Sequence, residues 1–214
     1  MENTLFNPNR IDLPKSLVLV PQFWNKSYYH QIKNEALASL NFLLSDILIF
    51  PNYAVIEGFL GYPHILTTLE FIRDVREKDV YFLGTAGSLN HAIDRPIPLQ
   101  VEAIYSTEIL DHFCTETFFP LKTIDAWNCR KARGVTVDII QRETPQWLKA
   151  QVERGMDFVE MELFPLRVYL GKPFSAVVIA SDLLKESGIE VFKDKGMLQH
   201  EFVKAYEAIV EQLR

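Results

Sequence analysis

An apolar run of strand length, Phe174-Ser175-Ala176-Val177-Val178-Ile179-Ala180, stops at Ser181-Asp182. A nearly continuous apolar run suits a strand buried on both faces, and such strands belong to sheets covered by helices on each side. Two further runs behave alike. Val80-Tyr81-Phe82-Leu83 leads into Gly84-Thr85-Ala86-Gly87-Ser88, and Met156-Asp157-Phe158-Val159 leads into Glu160-Met161-Glu162. In α/β sheets ligands bind in the crevice outside the carboxyl ends of the strands. The residues at these three ends are therefore the first candidates for chemistry.

The rest of the chain supplies the other elements. Leu17 to Val20, Asp46 to Phe50 and Tyr53 to Ile56 read as strands, with a turn at Pro51-Asn52. Leu99 to Tyr105, Phe118 to Ile124 and Gly134 to Ile140 read as three more. Ser27 to Leu44 carries Ile32, Ala36, Leu37, Leu40 and Leu43 at helical spacing. A second helix opens at Gly61-Tyr62-Pro63, with proline in its first turn. A third starts at Thr144-Pro145, cap then proline, and ends at Gly155. Leu198, Phe202, Ala205, Tyr206, Ile209, Val210 and Leu213 form the apolar stripe of a last helix. Alternating strands and helices predict a three-layer αβα fold, a mainly parallel or mixed central sheet, and a single domain over residues 1–214.

Composition narrows the function. The 28 acidic and 22 basic side chains leave a net charge of −6, which argues against nucleic acid as a partner. Apolar runs fall short of the ~20 residues of a membrane span. The polar start, Met1 to Leu13, lacks the apolar stretch of a signal peptide. Cys114 and Cys129 form neither a ligand motif nor a disulfide framework, so a reduced, cytoplasmic setting is the simplest expectation. The five histidines show no metal-ligand spacing, and no metal or organic cofactor is expected. His112 with Cys114 reads as a packed or surface pair. Phe23, Trp24, Tyr28 and Tyr29 read as core packing, and Arg130, Lys131 and Arg133 as a solvated loop.

The ordered set of Gly84-Thr85-Ala86-Gly87-Ser88, Val159-Glu160-Met161-Glu162 and Ser181-Asp182 resembles the nucleoside phosphorylase/nucleosidase superfamily. Val135 to Thr144 resembles the segment before that family's Met-Glu step, and Gly61 to Leu69 its glycine-led helix. The resemblance covers about residues 46 to 214 and is weak before residue 46. It implies cleavage of the bond between a ribose and a purine-type base, in a homo-oligomer. Glu162 would hold the ribose 2′ and 3′ hydroxyls, since one carboxylate accepts from two neighbouring hydroxyls through charge-assisted bonds. Its charge also favours the oxocarbenium-like sugar. Met161 would pack beside the sugar. Asp182 would protonate the leaving base, help typically worth ~10²–10⁴ in rate. Glu160, Ser181, Thr85, Ala86, Gly87 and Ile140 complete the expected substrate contacts. Each motif has a plainer reading: Glu162 as a solvated first-turn residue, Asp182 as the cap of a following helix, and the glycines as a tight turn.

Four departures from the family's pattern bear on the nucleophile and the site. Phe82 stands where many phosphorylases carry a phosphate-binding arginine, and no charged residue occurs between Tyr81 and Asn90. The first strand is followed by Pro21-Gln22-Phe23-Trp24-Asn25, without the water-activating acid of the nucleosidase branch. Ile139 or Ile140 replaces the aromatic that stacks on the base. Pro165 requires the helix after Glu162 to start late or bend, because proline in a helix interior costs ~3 kcal/mol or more. The sequence thus predicts nucleoside N-ribosyl cleavage, with hydrolysis slightly preferred. The alternatives are phosphorolysis and a non-catalytic nucleoside-binding relative. Glu57 has no assigned position in this reading.

Overall fold

The computed structural model describes residues 10–42, 45–59, 61–106, 118–127, 129–137, 143–185 and 187–214. Its centre is four strands in parallel register. β1 (Ser16–Val20) lies between β4 (Tyr53–Glu57) and β5 (Asp79–Ser88), and β5 continues beside β10 (Ser175–Lys185). Outside β4 the sheet adds β3 (Ser45–Ile49) and β2 (Ala38–Phe42), both antiparallel.

Side-chain alternation explains the layers. Leu17 and Leu19 of β1 pack in one core cluster, Val18 and Val20 in another. In β10, Ala176 and Val178 join the first, Val177 and Ile179 the second. Successive strand residues point to opposite faces, so both faces need cover. On one face lie α2 (Gly61–Glu70), through Ile65 and Leu69, and α4 (Leu163–Leu170), through Phe164 and Leu166. On the other lie α1 (Lys26–Glu35), through Ile32, and α5 (Lys195–Glu211), through Leu198, Phe202 and Ile209. The expected three layers are present, and the sheet is mixed. α3 (Pro145–Glu153) covers a smaller cluster through Leu148. Its cap is as expected: Thr144 Oγ1 accepts from Trp147 N, and Gly155 follows at φ 78°.

The sheet also closes on itself. β10 pairs with β6 (Pro98–Ser106), β6 with β8 (Arg130–Thr136), and β8 with β9 (Phe158–Glu160). β9 returns to Gly87 and Ser88 of β5, where β1 has ended. Short β7 (Phe118–Pro120) and β11 (Gly188–Val191) complete the set, on β6 and β10. The closure needs close backbone approach. A Cβ on Gly134 would lie 2.2 Å from the Phe158 ring.

Several expectations need correction. The helix foreseen from Ser27 to Leu44 ends at Glu35, and Ala36 is extended. Ala38–Phe42 is instead an edge strand paired with β3, with Leu37 and Leu40 exposed. The strand foreseen over Phe118 to Ile124 stops at Pro120. That over Gly134 to Ile140 is described to Thr136, and Ile139 and Ile140 lie outside the described residues. The Gly84 to Ser88 segment is not a turn but the second half of β5. Ser181-Asp182 does not end its strand either: β10 runs to Lys185, and Asp182 pairs with Val191 of β11. Pro165 causes neither a late start nor a bend, because α4 begins at Leu163 and proline sits in its first turn. Among the described residues no helix is long and apolar enough to cross a membrane, and no metal-binding cluster occurs. His112 and Cys114 lie outside those residues, and Cys129 is a half-buried free thiol.

Gly134→Ala is expected to destabilise the protein by about 1–3 kcal/mol, the usual cost of overpacking, because the Phe158 ring is fully buried and cannot yield. Denaturant unfolding checks this. An unchanged midpoint would mean that the closure tolerates a methyl group.

Candidate active site

The strand ends converge on one cavity of about 700 Å³. Pro21 and Gln22 line it from the end of β1, Glu57 to Phe59 from the end of β4, and Gly84 to Gly87 from β5. Ser181, Asp182 and Leu184 line it from β10, and Val159 to Glu162 from β9 and the start of α4. His64 of α2 and Glu143 before α3 complete the polar part of the wall. Thr85, Ala86, Gly87, Glu160, Met161, Glu162, Ser181 and Asp182, all expected at the site from sequence, therefore share a single space. Ile140 lies outside the described residues.

Glu160 and Glu162 sit two residues apart and do different things. Glu160 is buried, and Thr136 Oγ1 donates to its Oε1. Its Oε2 accepts from the amides of Glu162, at 2.6 Å, and Leu163, at 2.7 Å. Thr136 Oγ1 in turn accepts from Phe164 N at 3.1 Å. These bonds satisfy the otherwise orphaned amides at the start of α4. Both oxygens of the Glu160 carboxylate thus have protein partners, although the residue lines the cavity. The Glu162 side chain plays no part in capping α4. It crosses to α2, where its Oε1 accepts from Gly61 N at 2.9 Å. The residue is 6% exposed, not the solvated group of the plainer reading. It stands at the N-terminal ends of two helices, where backbone dipoles favour negative charge. Burial raises its pKa and the Gly61 and Met161 amides pull it back. Burial first, then the neighbouring Glu162 charge, raise that of Glu160.

Asp182 is set by a bulge. The β5–β10 register shifts between Ala180 and Asp182, leaving Ser181 as the extra residue. Bulges re-aim side chains next to sites. Ser181 Oγ donates to Asp182 Oδ1 at 2.5 Å and lies 3.3 Å from the Ala86 carbonyl oxygen. A Cβ on Gly87 would come within 2.9 Å of Asp182 Oδ2, so the glycine makes room for the carboxylate. Burial raises the Asp182 pKa, and the Ser181 hydroxyl opposes it. Glu143 is pushed up to about 7, by burial first and then by the charge of Asp182.

Two acids escaped the sequence reading. Glu143 precedes a helix and was read only as part of a longer segment. Glu57 ends β4, where it pairs with Val20, the last residue of β1. It therefore stands beside the strand after which the expected acid is missing, and strand pairing is the only signal that brings it there. Five carboxylates, Glu57, Glu143, Glu160, Glu162 and Asp182, line the cavity, and neither lysine nor arginine does among the described residues. Phe82 is buried in the core.

Neither a family model nor a curated protein matches this sequence. Solved structures do match its fold. Purine nucleoside phosphorylase from Toxoplasma gondii in complex with immucillin-H superposes with a TM-score of 0.70 at 16% identity, over 94% of this chain and 92% of that one. A futalosine hydrolase mutant from Helicobacter pylori gives a TM-score of 0.67 at 15% identity, over 94% and 100%. The MTA nucleosidase of Chlamydia trachomatis bound to adenine gives 0.64 at 15%, over 94% and 100%. The chain has the fold shared by these nucleoside phosphorylases and nucleosidases.

Glu160→Ala is expected to cost at least about 2 kcal/mol of stability, because it leaves two buried amides without an acceptor. Glu160→Gln, which retains one carbonyl oxygen for those amides, should cost much less. Equal losses in denaturant unfolding would show that the capping bonds are not what Glu160 contributes.

Proposed function

We propose that this protein cleaves the N-ribosyl bond of a purine-type nucleoside, with water as the nucleophile. The observation that carries this reading is the convergence of Glu162, Asp182 and the Thr85–Gly87 segment on one cavity. The similar structures, which include enzymes named for nucleoside phosphorolysis and nucleosidase activity, support it. Glu162 holds the ribose diol. One of its oxygens is fixed by Gly61, and the pair still has acceptor capacity for hydroxyls. Its charge stabilises the developing oxocarbenium ion. Glu160 acts through Glu162 by fixing the start of α4. Met161 packs beside the sugar, and Thr85, Ala86 and Gly87 let sugar and nucleophile approach the backbone closely. Asp182, steadied by Ser181, gives its proton to the leaving base. The roles of these residues, the single nucleoside phosphorylase-like domain over residues 1–214, a cytoplasmic setting and a homo-oligomeric state all belong to this proposal.

Hydrolysis is preferred because a phosphate ion would enter a cavity walled by carboxylates without a lysine or arginine among the described residues. Phosphorolysis is the second reading, favoured by the likeness to a phosphorylase. Incubation with adenosine, inosine and methylthioadenosine separates the two. Base release without phosphate is expected. Release only with phosphate would establish phosphorolysis, and binding without release would point to a silent relative. Glu162→Gln and Asp182→Asn should each lower turnover at least ~10²-fold. An unchanged rate would remove that residue from the mechanism.

The pH profile follows from the raised acids. Asp182 must hold its proton to act, and burial keeps it protonated above the ordinary aspartate range. The Ser181 hydroxyl opposes that rise. With Ser181→Ala the fall in kcat/KM as pH rises should therefore begin at higher pH than in the wild type. An alkaline limb that does not move would separate Asp182 from the proton donor.

A further inference from the structure

We propose that Glu57 is the general base that activates the attacking water. The inference rests on the N-ribosyl hydrolysis proposed above and adds the residue that it lacks.

Elimination among the five acids leads to Glu57. Glu160 is held by Thr136 and two amides. Glu162 is tied to Gly61 between two helix ends, suited to holding hydroxyls as an anion. The charge of Asp182, on β10, acts on Glu143, so both acids belong to the β10 side of the cavity, where the leaving base is protonated. Glu57 has one oxygen near a single weak donor, Phe23 N at 3.5 Å, and its second oxygen carries no bond from a described residue.

The sheet order gives the geometry. Across the strand ends the sequence is β4, β1, β5, β10. Glu57 and Asp182 therefore lie three strand spacings apart, ~14 Å between backbones at ~4.8 Å per strand. The small residues Gly84 to Gly87 of β5 lie between them, and Glu162 approaches from α4. A water activated at Glu57 and a base protonated at Asp182 thus sit on opposite sides of a sugar bound over β5. Attack and departure at one carbon require that arrangement.

The step balances. A water oxygen forms a bond to the ribose C1′ while one of its protons passes to the Glu57 carboxylate. The C1′–N bond breaks, its electron pair goes to the base nitrogen, and Asp182 supplies that nitrogen with a proton. The products are free ribose and free base. Glu57 returns its proton to solvent, and Asp182 regains one. The surroundings keep Glu57 responsive. It is half-buried, with its pKa raised by burial. Asp46 pairs across from it on β3, Lys33 and Tyr29 of α1 contact Asp46, and His64 of α2 shares the cavity.

The test is steady-state base release from a nucleoside by wild type, Glu57→Gln, Glu57→Asp and Glu57→Ala, with adenine or inosine binding measured by calorimetry. Glu57→Gln is expected to lose kcat at least ~10²-fold with ligand affinity within a few-fold of wild type. Added formate should restore part of the Glu57→Ala rate, which a merely structural residue would not allow. If Glu57→Gln fails to fold, Glu57→Asp, with its carboxylate one methylene farther away, should show the same loss in kcat. A wild type that cleaves together with variants that cleave equally well overturns the role of Glu57 alone. A wild type that binds nucleoside without cleaving it overturns the hydrolytic reading and this inference together.

Discussion

The buried bonds of Glu160 are the constraint on which the rest of the site depends. One carboxylate meets the Thr136 hydroxyl and the amides of Glu162 and Leu163 at the start of α4. It thereby does the capping work that the residue at the helix boundary would otherwise do. Glu162, which occupies that boundary, is released to reach Gly61 on another helix. Two acids in a Glu-Met-Glu run are thus divided between architecture and chemistry by which of them the amides engage. The arrangement joins β8, β9, α4 and α2 around one negative centre.

A second constraint is the doubled use of β5. Its first half pairs with β1 and β10, and its second half with β9 and β10. The open sheet turns into a closed ring there, and the cavity opens beside the change of partner. Glycine at positions 84 and 87 suits that crowding. The side chains of Phe82, Leu184 and Asp182 occupy the volume that a Cβ would need.

Much of this was legible in the amino-acid sequence, and the failures have physical causes. Long buried strands are written as apolar runs, so β1, β4, β5 and β10 were located correctly. Caps and prolines marked α3 as they should. β2 was misread because its few apolar residues also fit a helical period, and its exposed side chains carry no burial pattern to break the tie. The ends of β5 and β10 were misplaced because small and polar residues look like punctuation, whereas cross-strand pairing carries both strands through them. Glu162 and Asp182 were found because they follow apolar runs. Glu57 also follows one, but its neighbourhood comes from the β1–β4 register, a contact that no local pattern encodes.

The sign of the cavity wall has a consequence of its own. Five acids gathered without a lysine or arginine among the described residues leave an anion no fixed counter-charge there. For the proposed reaction this would act as a filter before any contact is made. A ribosylated base without esterified phosphate would pass it, while its mono-, di- and triphosphate forms would be disfavoured increasingly.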